Sequence, residues 1–119
     1  MSILSYEETT SLEDRIKKSS SILKNHSNMV PILLEKNKSD KILKGCIHKS
    51  KYIISRETNI AQVLLVLRER FNINSNHSIY ILCGKNIIPG SYSLGELYDK
   101  HKKKDGFLYL EYCSENVFG

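Results

Sequence analysis

Residues 105–119 of the 119-residue chain read DGFLYLEYCSENVFG, and the prediction of the fold starts from this last stretch. The run at 107–112 is apolar and aromatic except at Glu111, which is typical of a buried strand. Residues 114–116 are polar and favour a turn, and Val117 and Phe118 lead to Gly119. The pattern therefore predicts a core strand that fixes where the chain leaves the domain, followed directly by a mobile tail.

The glycine at position 119 indicates a chemical use for this tail. Because glycine has no side chain, a carboxylate carried by Gly119 fits a narrow enzyme cleft that a larger residue would block. The ending is thus compatible with a protein whose C-terminus is the reacting group. It is also compatible with a strand followed by a frayed end, and the two interpretations stay open at this point.

Periodic apolar spacing and capping pairs predict the elements that precede this strand. Asn59 with Gln62, and Ser93 with Glu96, are spaced as capping boxes at the start of two helices. In chain order, the sequence predicts a helix at 11–25, strands at 29–36 and 49–55, a helix at 59–72, strands at 78–83 and 87–88, a helix at 93–101 and a strand at 107–112. The predicted fold class is α+β, in which a hairpin, a crossing helix and a returning C-terminal strand build one sheet.

This order matches the β-grasp layout of ubiquitin with an N-terminal helical extension. The predicted division is a helical extension at 1–28, a ubiquitin-like domain at 29–113 and a flexible tail at 114–119. In the first long helix the partly apolar face formed by Leu12, Ile16, Ser19 and Leu23 predicts that the helix lies on the domain rather than inside it. Pro31 cannot donate a ladder hydrogen bond, so its strand is expected to be open to solvent or bulged there.

Composition excludes several classes of protein. With 40% hydrophobic and 26% charged residues, the chain is an ordinary single globular domain. Its apolar runs are too short to span a bilayer, and the N-terminus lacks the pattern of a secretory signal.

The net charge of +5 would help it approach anionic lipids or acidic peptides, but its aromatic residues are not interleaved with basic ones as nucleic-acid binding requires. The basic run 100–104 is interpreted as a solvated helix end and turn.

The cysteines and histidines form no reactive pattern. Cys46, Cys83 and Cys113 are odd in number and widely spaced, and the Cys46-x-His48 pair has no second pair to complete a zinc site. They are interpreted as reduced thiols of a cytosolic protein. We therefore expect no metal site, no cofactor and no catalytic nucleophile with a base.

Five segments in sequence order resemble one known family. They are VPILLEK at 30–36, KYII at 51–54, LRER at 67–70, DGFLY at 105–109 and ENVFG at 115–119. Together they resemble the autophagy ubiquitin-like modifiers, the GABARAP and light-chain-three (autophagy-related protein eight) family, over nearly the whole chain. The sequence is identified as a divergent member of this family.

The resemblance implies a modifier that is not itself an enzyme. Gly119 would be adenylated by an activating enzyme, passed as a thioester between cysteines and joined as an amide to phosphatidylethanolamine. Phe118 would be read by the processing cysteine protease and by the conjugating enzymes. The protein would be a cytoplasmic monomer when unconjugated, and would lie on autophagosome or vesicle membranes when lipidated.

The resemblance also implies a surface for short peptides with an aromatic residue, two spacers and an aliphatic residue. Such a peptide would add a strand beside 49–55. The pocket for the aromatic residue would consist of Ile22, Pro31, Leu33, Lys51, Ile53 and Phe107. The pocket for the aliphatic residue would consist of Tyr52, Ile54, Val63, Val66 and Leu67. Lys51 and Arg70 would attract acidic flanks, although side-chain alternation requires some pocket residues to belong to the core.

Departures from the family pattern affect ligand choice. Lys18 and Met29 stand where charged residues often read an acidic partner, and Ser55 and Ile88 stand where proline is common. Lys18 beside the aromatic pocket would repel cationic ligands and favour acidic ones.

Two other functions stay open. One is a modifier attached to another protein rather than to lipid, which the phenylalanine before Gly119 disfavours. The other is a peptide-binding scaffold that is never conjugated.

The sequence also predicts an amphipathic turn at the N-terminus, formed by Ile3, Leu4 and Tyr6. This turn either touches a membrane or docks onto the domain.

Overall fold

A computed structural model of the chain describes residues 6–38, 40, 49–73 and 77–114. Within these residues the helices are α1 (Tyr6–Thr9), α2 (Leu12–Asn25), α3 (Ile60–Arg70) and α4 (Leu94–His101). The strands are β1 (Met29–Lys36), β2 (Lys49–Ser55), β3 (Ile79–Cys83), β4 (Asn86–Ile87) and β5 (Leu108–Ser114). The order of elements is the one that the sequence predicts, with α1 preceding the first long helix.

The five strands form one mixed sheet in the order β2-β1-β5-β3-β4. β1 pairs antiparallel with β2 and parallel with β5, and β3 pairs antiparallel with both β5 and β4. A parallel pair needs a crossover connection, and α3 lies in the chain that connects the β1–β2 hairpin to the rest of the sheet. The predicted hairpin, crossing helix and returning C-terminal strand are confirmed.

Local hydrogen bonds explain where the helices begin. The Asn59 side chain accepts the Gln62 N–H at 2.9 Å, and the Gln62 side chain accepts the Asn59 N–H at 2.9 Å. This reciprocal pair satisfies two backbone donors that the first turn of α3 leaves free. A second capping box starts α4, and Ser11 caps α2. The three predicted helix starts are therefore confirmed.

The sheet carries a core on each face. We call the larger cluster, packed against α3 and α4, the main core; its buried members are Val30, Ile32, Leu34, Ile60, Val63, Leu67, Ile79, Ile81, Leu94, Leu97, Tyr98, Leu108, Leu110 and Tyr112. We call the smaller cluster, which includes a residue of α2, the minor core; its members are Ile22, Leu33 and Phe107, with Tyr109 packed against it. Since side chains alternate along a strand, β1 contributes to both cores.

The buried face of α2 differs from the predicted one. Leu12, Ile16 and Leu23 are 47%, 40% and 38% exposed, whereas Ser19 and Ile22 are buried. Burial of Ser19 is tolerated because its hydroxyl donates a hydrogen bond of 2.5 Å to the Asp105 carbonyl, with the Ile16 carbonyl 3.1 Å away as a second acceptor for the same proton. The helix lies on the domain as predicted, but the polar contact of Ser19 and the single buried Ile22, rather than an apolar stripe, attach it.

Pro31 is buried and the β1–β2 register runs through it without a bulge, so the expectation of a strand that is open to solvent or bulged there was wrong. β1 is an interior strand with neighbours on both sides. The missing N–H is tolerated because the β1–β5 ladder begins only at the next residue, Ile32, opposite Leu108.

Smaller differences concern the ends of elements. β5 runs beyond the predicted 107–112, since Cys113 and Ser114 still pair with Tyr80 and Ile79. Ser114, which the sequence analysis assigned to the tail, is thus the last residue of a strand. α4 ends at His101, and the lysines 102–104 that follow are exposed, as expected for a solvated turn.

Several predictions fall on residues that the structure does not describe. Ile3, Leu4, Cys46, His48, Phe118 and Gly119 lie outside the described residues. The division into an extension, a domain and a tail stays a prediction. Among the helices of the described residues, none has the length and apolar character needed to cross a bilayer.

Candidate functional site

β2 forms one edge of the described sheet, where β1 alone pairs with it. An edge strand presents backbone N–H and C=O groups to which a further strand can bind. Paired residues of antiparallel strands share a face. Lys51 lies opposite Leu33 and Ile53 lies opposite Pro31, so Lys51 and Ile53 lie on the minor-core face. Tyr52, together with Ile54, packs on the main-core face.

A cavity of about 380 Å³ opens on the main-core face, between β2 and α3. Its lining is mostly apolar and consists of Leu34, Tyr52, Ile54, Thr58, Gln62, Val63, Val66 and Leu67. The structure thus brings together all five residues that the sequence analysis assigned to the aliphatic pocket. A cavity of this size accommodates a large apolar side chain, since a cavity of roughly 150 Å³ already takes up benzene.

The cavity has a rigid floor and an exposed rim. Leu67 and Val63 are 2% and 7% exposed and belong to the main core as well as to the lining of the cavity. Val66 is 58% exposed at the rim. Side chains that are fixed by core packing keep the cavity formed before any ligand arrives.

The residues predicted for the aromatic pocket also lie together, on the minor-core face. Ile22, Leu33 and Phe107 form one packed cluster and are at most 6% exposed. Pro31 is buried beside them in β1, whereas Lys51 and Ile53 on the edge strand are exposed. The group therefore consists of a closed apolar floor under α2 and an accessible wall on β2.

Basic side chains flank both groups of residues. Partial burial lowers the pKa of Lys51, which lies on the minor-core face of β2, and repulsion from the Lys18 charge lowers it further. At the aliphatic cavity the Arg70 guanidinium lies 5.7 Å from the centre of the Tyr52 ring and donates a hydrogen bond of 3.2 Å to its hydroxyl. Both ends of the surface therefore favour negatively charged ligands.

A buried polar network attaches α2 to the domain next to the aromatic group. Arg15 Nη1 donates to Asp105 Oδ2 at 3.0 Å, the Tyr109 hydroxyl donates to the same oxygen, and the Phe107 N–H donates to Oδ1 at 2.9 Å. The Ser19 hydroxyl donates to the Asp105 carbonyl. Burial and the hydrogen bond to Asp105 raise the pKa of Tyr109, so its hydroxyl keeps the proton that it donates.

Sequence reasoning missed several residues of this surface. Leu34 follows the alternation of β1 and could have been assigned to the α3 side by that signal. Thr58 and Gln62 line the cavity without any apolar signal, and the role of Asp105 depends on side chains that are remote in sequence. Phe118 and Gly119 lie beyond the described residues, and the described chain ends at Ser114.

Comparison with known proteins gives a consistent result. The model of the family described as "Autophagy protein Atg8 ubiquitin like" matches residues 14–119. The chain is 29% identical over 115 residues to Autophagy-related protein 8a of Arabidopsis thaliana, an alignment that covers 97% of this chain and 93% of that protein. It is 30% identical over 115 residues to Autophagy-related protein 8 of Schizosaccharomyces pombe, with 96% and 93% covered.

The fold agrees with a solved structure. The crystal structure of Trypanosoma brucei ATG8 superimposes with a TM-score of 0.82 at 25% sequence identity, covering 96% of this chain and 97% of that one. The ubiquitin-like fold predicted from the sequence is thereby confirmed.

Proposed function

The chain belongs to the Atg8 family of ubiquitin-like autophagy proteins, and from this we propose that it acts as a lipid-conjugated modifier that also docks short peptides. Gly119 is the proposed attachment point to phosphatidylethanolamine, and Phe118 the residue read by its enzymes. The proposed partners are the activating and conjugating enzymes, a processing and deconjugating cysteine protease, and receptors or adaptors with aromatic-x-x-aliphatic motifs. The chain itself catalyses nothing in this scheme; it resides in the cytoplasm and, when lipidated, on the autophagosome membrane.

One observation carries the docking proposal: the apolar cavity of about 380 Å³ directly beside the edge strand β2. A peptide that adds a strand to β2 gains main-chain hydrogen bonds, and a side chain in the cavity adds specificity. The aliphatic anchor of the motif would lie between Ile54, Val63 and Val66.

The motif spacing agrees with the placement of the two groups of residues. Along an added strand, side chains three residues apart point to opposite faces of the sheet. The aliphatic cavity lies on the main-core face and the aromatic group on the minor-core face. Two spacers between the anchors therefore suit this edge, whereas one or three spacers would direct both anchors to the same face.

The charges support peptides with acidic flanks. Lys51 belongs to the aromatic group, Lys18 lies one helical turn before Ile22 on α2, and Arg70 donates to Tyr52 at the aliphatic cavity. Carboxylates before the aromatic residue and after the aliphatic residue would each meet a basic side chain. Opposite charge here contributes more to the rate of association and to specificity than to affinity.

Docking is tested with two neighbouring variants of α3. Val66→Glu places a charge on the cavity rim and should weaken binding of an aromatic-x-x-aliphatic peptide at least tenfold, because the carboxylate must be desolvated against the apolar anchor. Leu65→Glu is the matched control: Leu65 is 62% exposed, next to Val66, and does not line the cavity. Calorimetric titration measures both, and equal losses of affinity would contradict docking at the cavity.

Peptides of altered spacing give a second check. With one spacer removed, the two anchors can no longer reach opposite faces of the sheet, and the affinity should fall to that of a peptide with one anchor replaced by alanine. Equal binding of both spacings would contradict strand addition at β2.

Conjugation is tested by mixing the chain with the activating and conjugating enzymes, ATP and liposomes that contain phosphatidylethanolamine. Mass spectrometry should show a lipid-sized increase on Gly119 that is absent when Gly119 is deleted. No increase, with enzymes active on a related modifier, would leave attachment to a protein or docking alone as the function.

A further inference from the structure

The end of β5 lies beside a turn rather than beside a strand. The parallel ladder between β1 and β5 reaches Lys36 opposite Tyr112, and the Asn37 N–H still donates to the Tyr112 carbonyl at 2.9 Å. If the ladder continued, the Asn37 carbonyl would accept the next N–H of β5 on this side, that of Ser114. It accepts the Asp40 N–H at 3.1 Å instead, because the chain turns away from the sheet.

The side chain of Asp40 takes the place of the missing ladder acceptor. Its Oδ2 accepts the Ser114 N–H, and the two residues are 3% and 1% exposed. The turn that carries Asp40 is held in place by its own contacts: Lys36 Nζ donates to the Asp40 carbonyl at 2.9 Å, and the Asn37 side chain donates to Glu111 Oε1 at 3.2 Å. A hydrogen bond to an ionised carboxylate is about twice as strong as one between neutral groups.

We propose that Asp40 is a positioning residue, which holds the last N–H of β5 and so fixes the point from which the C-terminal tail starts. This inference rests on the proposed function, because conjugation gives that starting point a purpose. Five residues lead from Ser114 to Gly119, and they span at most roughly 17 Å.

The short length of the C-terminal tail explains why its starting point matters. Each residue that frays from the end of β5 lengthens the segment that carries Gly119. A longer, less directed segment lowers the effective concentration of the glycine carboxylate at the cleft of an enzyme that has bound the folded domain. Asp40 therefore acts on conjugation through Ser114 without touching the reacting atoms.

The first measurement is amide hydrogen exchange followed by NMR. In Asp40→Ala the Ser114 amide should exchange at least about tenfold faster, because it loses a buried charged acceptor. Asp40→Asn keeps an uncharged oxygen in the same place and should give a smaller increase, of about threefold. Asp99→Ala is the control, since it removes the same charge from an exposed position on α4 where Asp99 pairs with Arg56.

The second measurement is conjugation at limiting concentrations of the modifier. Asp40→Ala should lower kcat/KM of the activating enzyme about three- to tenfold, in keeping with a longer and less oriented tether. Its affinity for an aromatic-x-x-aliphatic peptide should stay within about twofold of wild type, because neither Asp40 nor Ser114 lines the cavity. Asp99→Ala should leave both quantities unchanged.

The outcomes separate this inference from the proposed function. Wild-type kcat/KM in Asp40→Ala, or an unchanged Ser114 amide, overturns the role of Asp40 while conjugation itself stands. If Asp40→Ala fails to fold, Asp40→Asn decides by the same two readouts. If the wild-type chain is not conjugated at all, the proposed function is wrong, and so is the role of Asp40 in positioning the tail for conjugation. Amide exchange then shows only whether Asp40 stabilises the end of β5.

Discussion

Gly106 joins the lysine-rich turn to β5 with a φ of +86°, a conformation that side chains disfavour. A Cβ at this position would lie 2.3 Å from Ser19 Oγ. We expect Gly106→Ala to lower the free energy of unfolding by about 2–4 kcal/mol, from backbone strain and overpacking against α2 together. Chemical denaturation followed by circular dichroism measures the loss.

Gly84 provides the matched control for this residue. Its φ is +64°, but a Cβ there would meet no atom within 4 Å. Gly84→Ala should therefore show the backbone strain alone, about 1–2 kcal/mol. A loss at Gly106 no greater than at Gly84 would mean that the contact with Ser19 does not constrain the turn.

The attachment of α2 to the domain depends on the hydrogen-bond network around Asp105. Asp105→Ala removes the acceptor shared by Arg15 and Tyr109 and should destabilise the protein by about 2–4 kcal/mol. Because the main core does not include this network, amide exchange should accelerate in α2 well before it does in β1 and β5. Hydrogen-exchange mass spectrometry resolves the two regions.

Asp99→Ala again serves as the control for this variant. The Asp99–Arg56 ion pair is at the surface, so its loss should cost less than about 1 kcal/mol and leave α2 protected. Uniform acceleration across the sheet and α2 in Asp105→Ala would contradict a separately attached helix.

The helices show which structural features can be predicted from the sequence and which cannot. The starts of α3 and α4 were predictable because a capping box joins residues three apart, and the apolar face of α3 recurs at Ile60, Val63 and Leu67. The buried face of α2 was not, because Ser19 is buried by a hydrogen bond to Asp105, which no local pattern indicates. Local signals predict where an element lies; contacts between remote segments decide how it is oriented.

The candidate site likewise contains some residues that the sequence predicts and others that it does not. Its five aliphatic-pocket residues followed from the family resemblance and do line one cavity. Thr58 and Gln62 were missed because residues at the polar edge of a cavity have no periodicity. The Asp40–Ser114 contact was missed because the pair lies beyond the end of a ladder, where pairing rules no longer apply.

The formal net charge of +5 should accelerate the approach of negatively charged ligands. For a peptide with acidic residues before its aromatic anchor, the association rate constant should fall about tenfold between roughly 0.05 and 0.5 M salt, because screening weakens the attraction to Lys18 and Lys51. Stopped-flow fluorescence measures the rate. The same peptide with neutral flanks should change less than about twofold, and equal salt dependence of the two would show that the basic residues do not steer binding.

The place of β5 between β1 and β3 has a consequence for biosynthesis. Until β5 has left the ribosome, the described strands can pair only as β1 with β2 and β3 with β4, and the edges that later meet β5 are still unpaired. A translation product that stops before Leu108 would thus consist of two hairpins with unpaired, aggregation-prone edges. We expect such a product to be bound by chaperones and degraded rather than to act as a shortened modifier. Gly119, the proposed conjugation site, is synthesised after β5, the strand that completes the sheet. Every chain that carries this glycine therefore also carries the strand that it needs in order to fold.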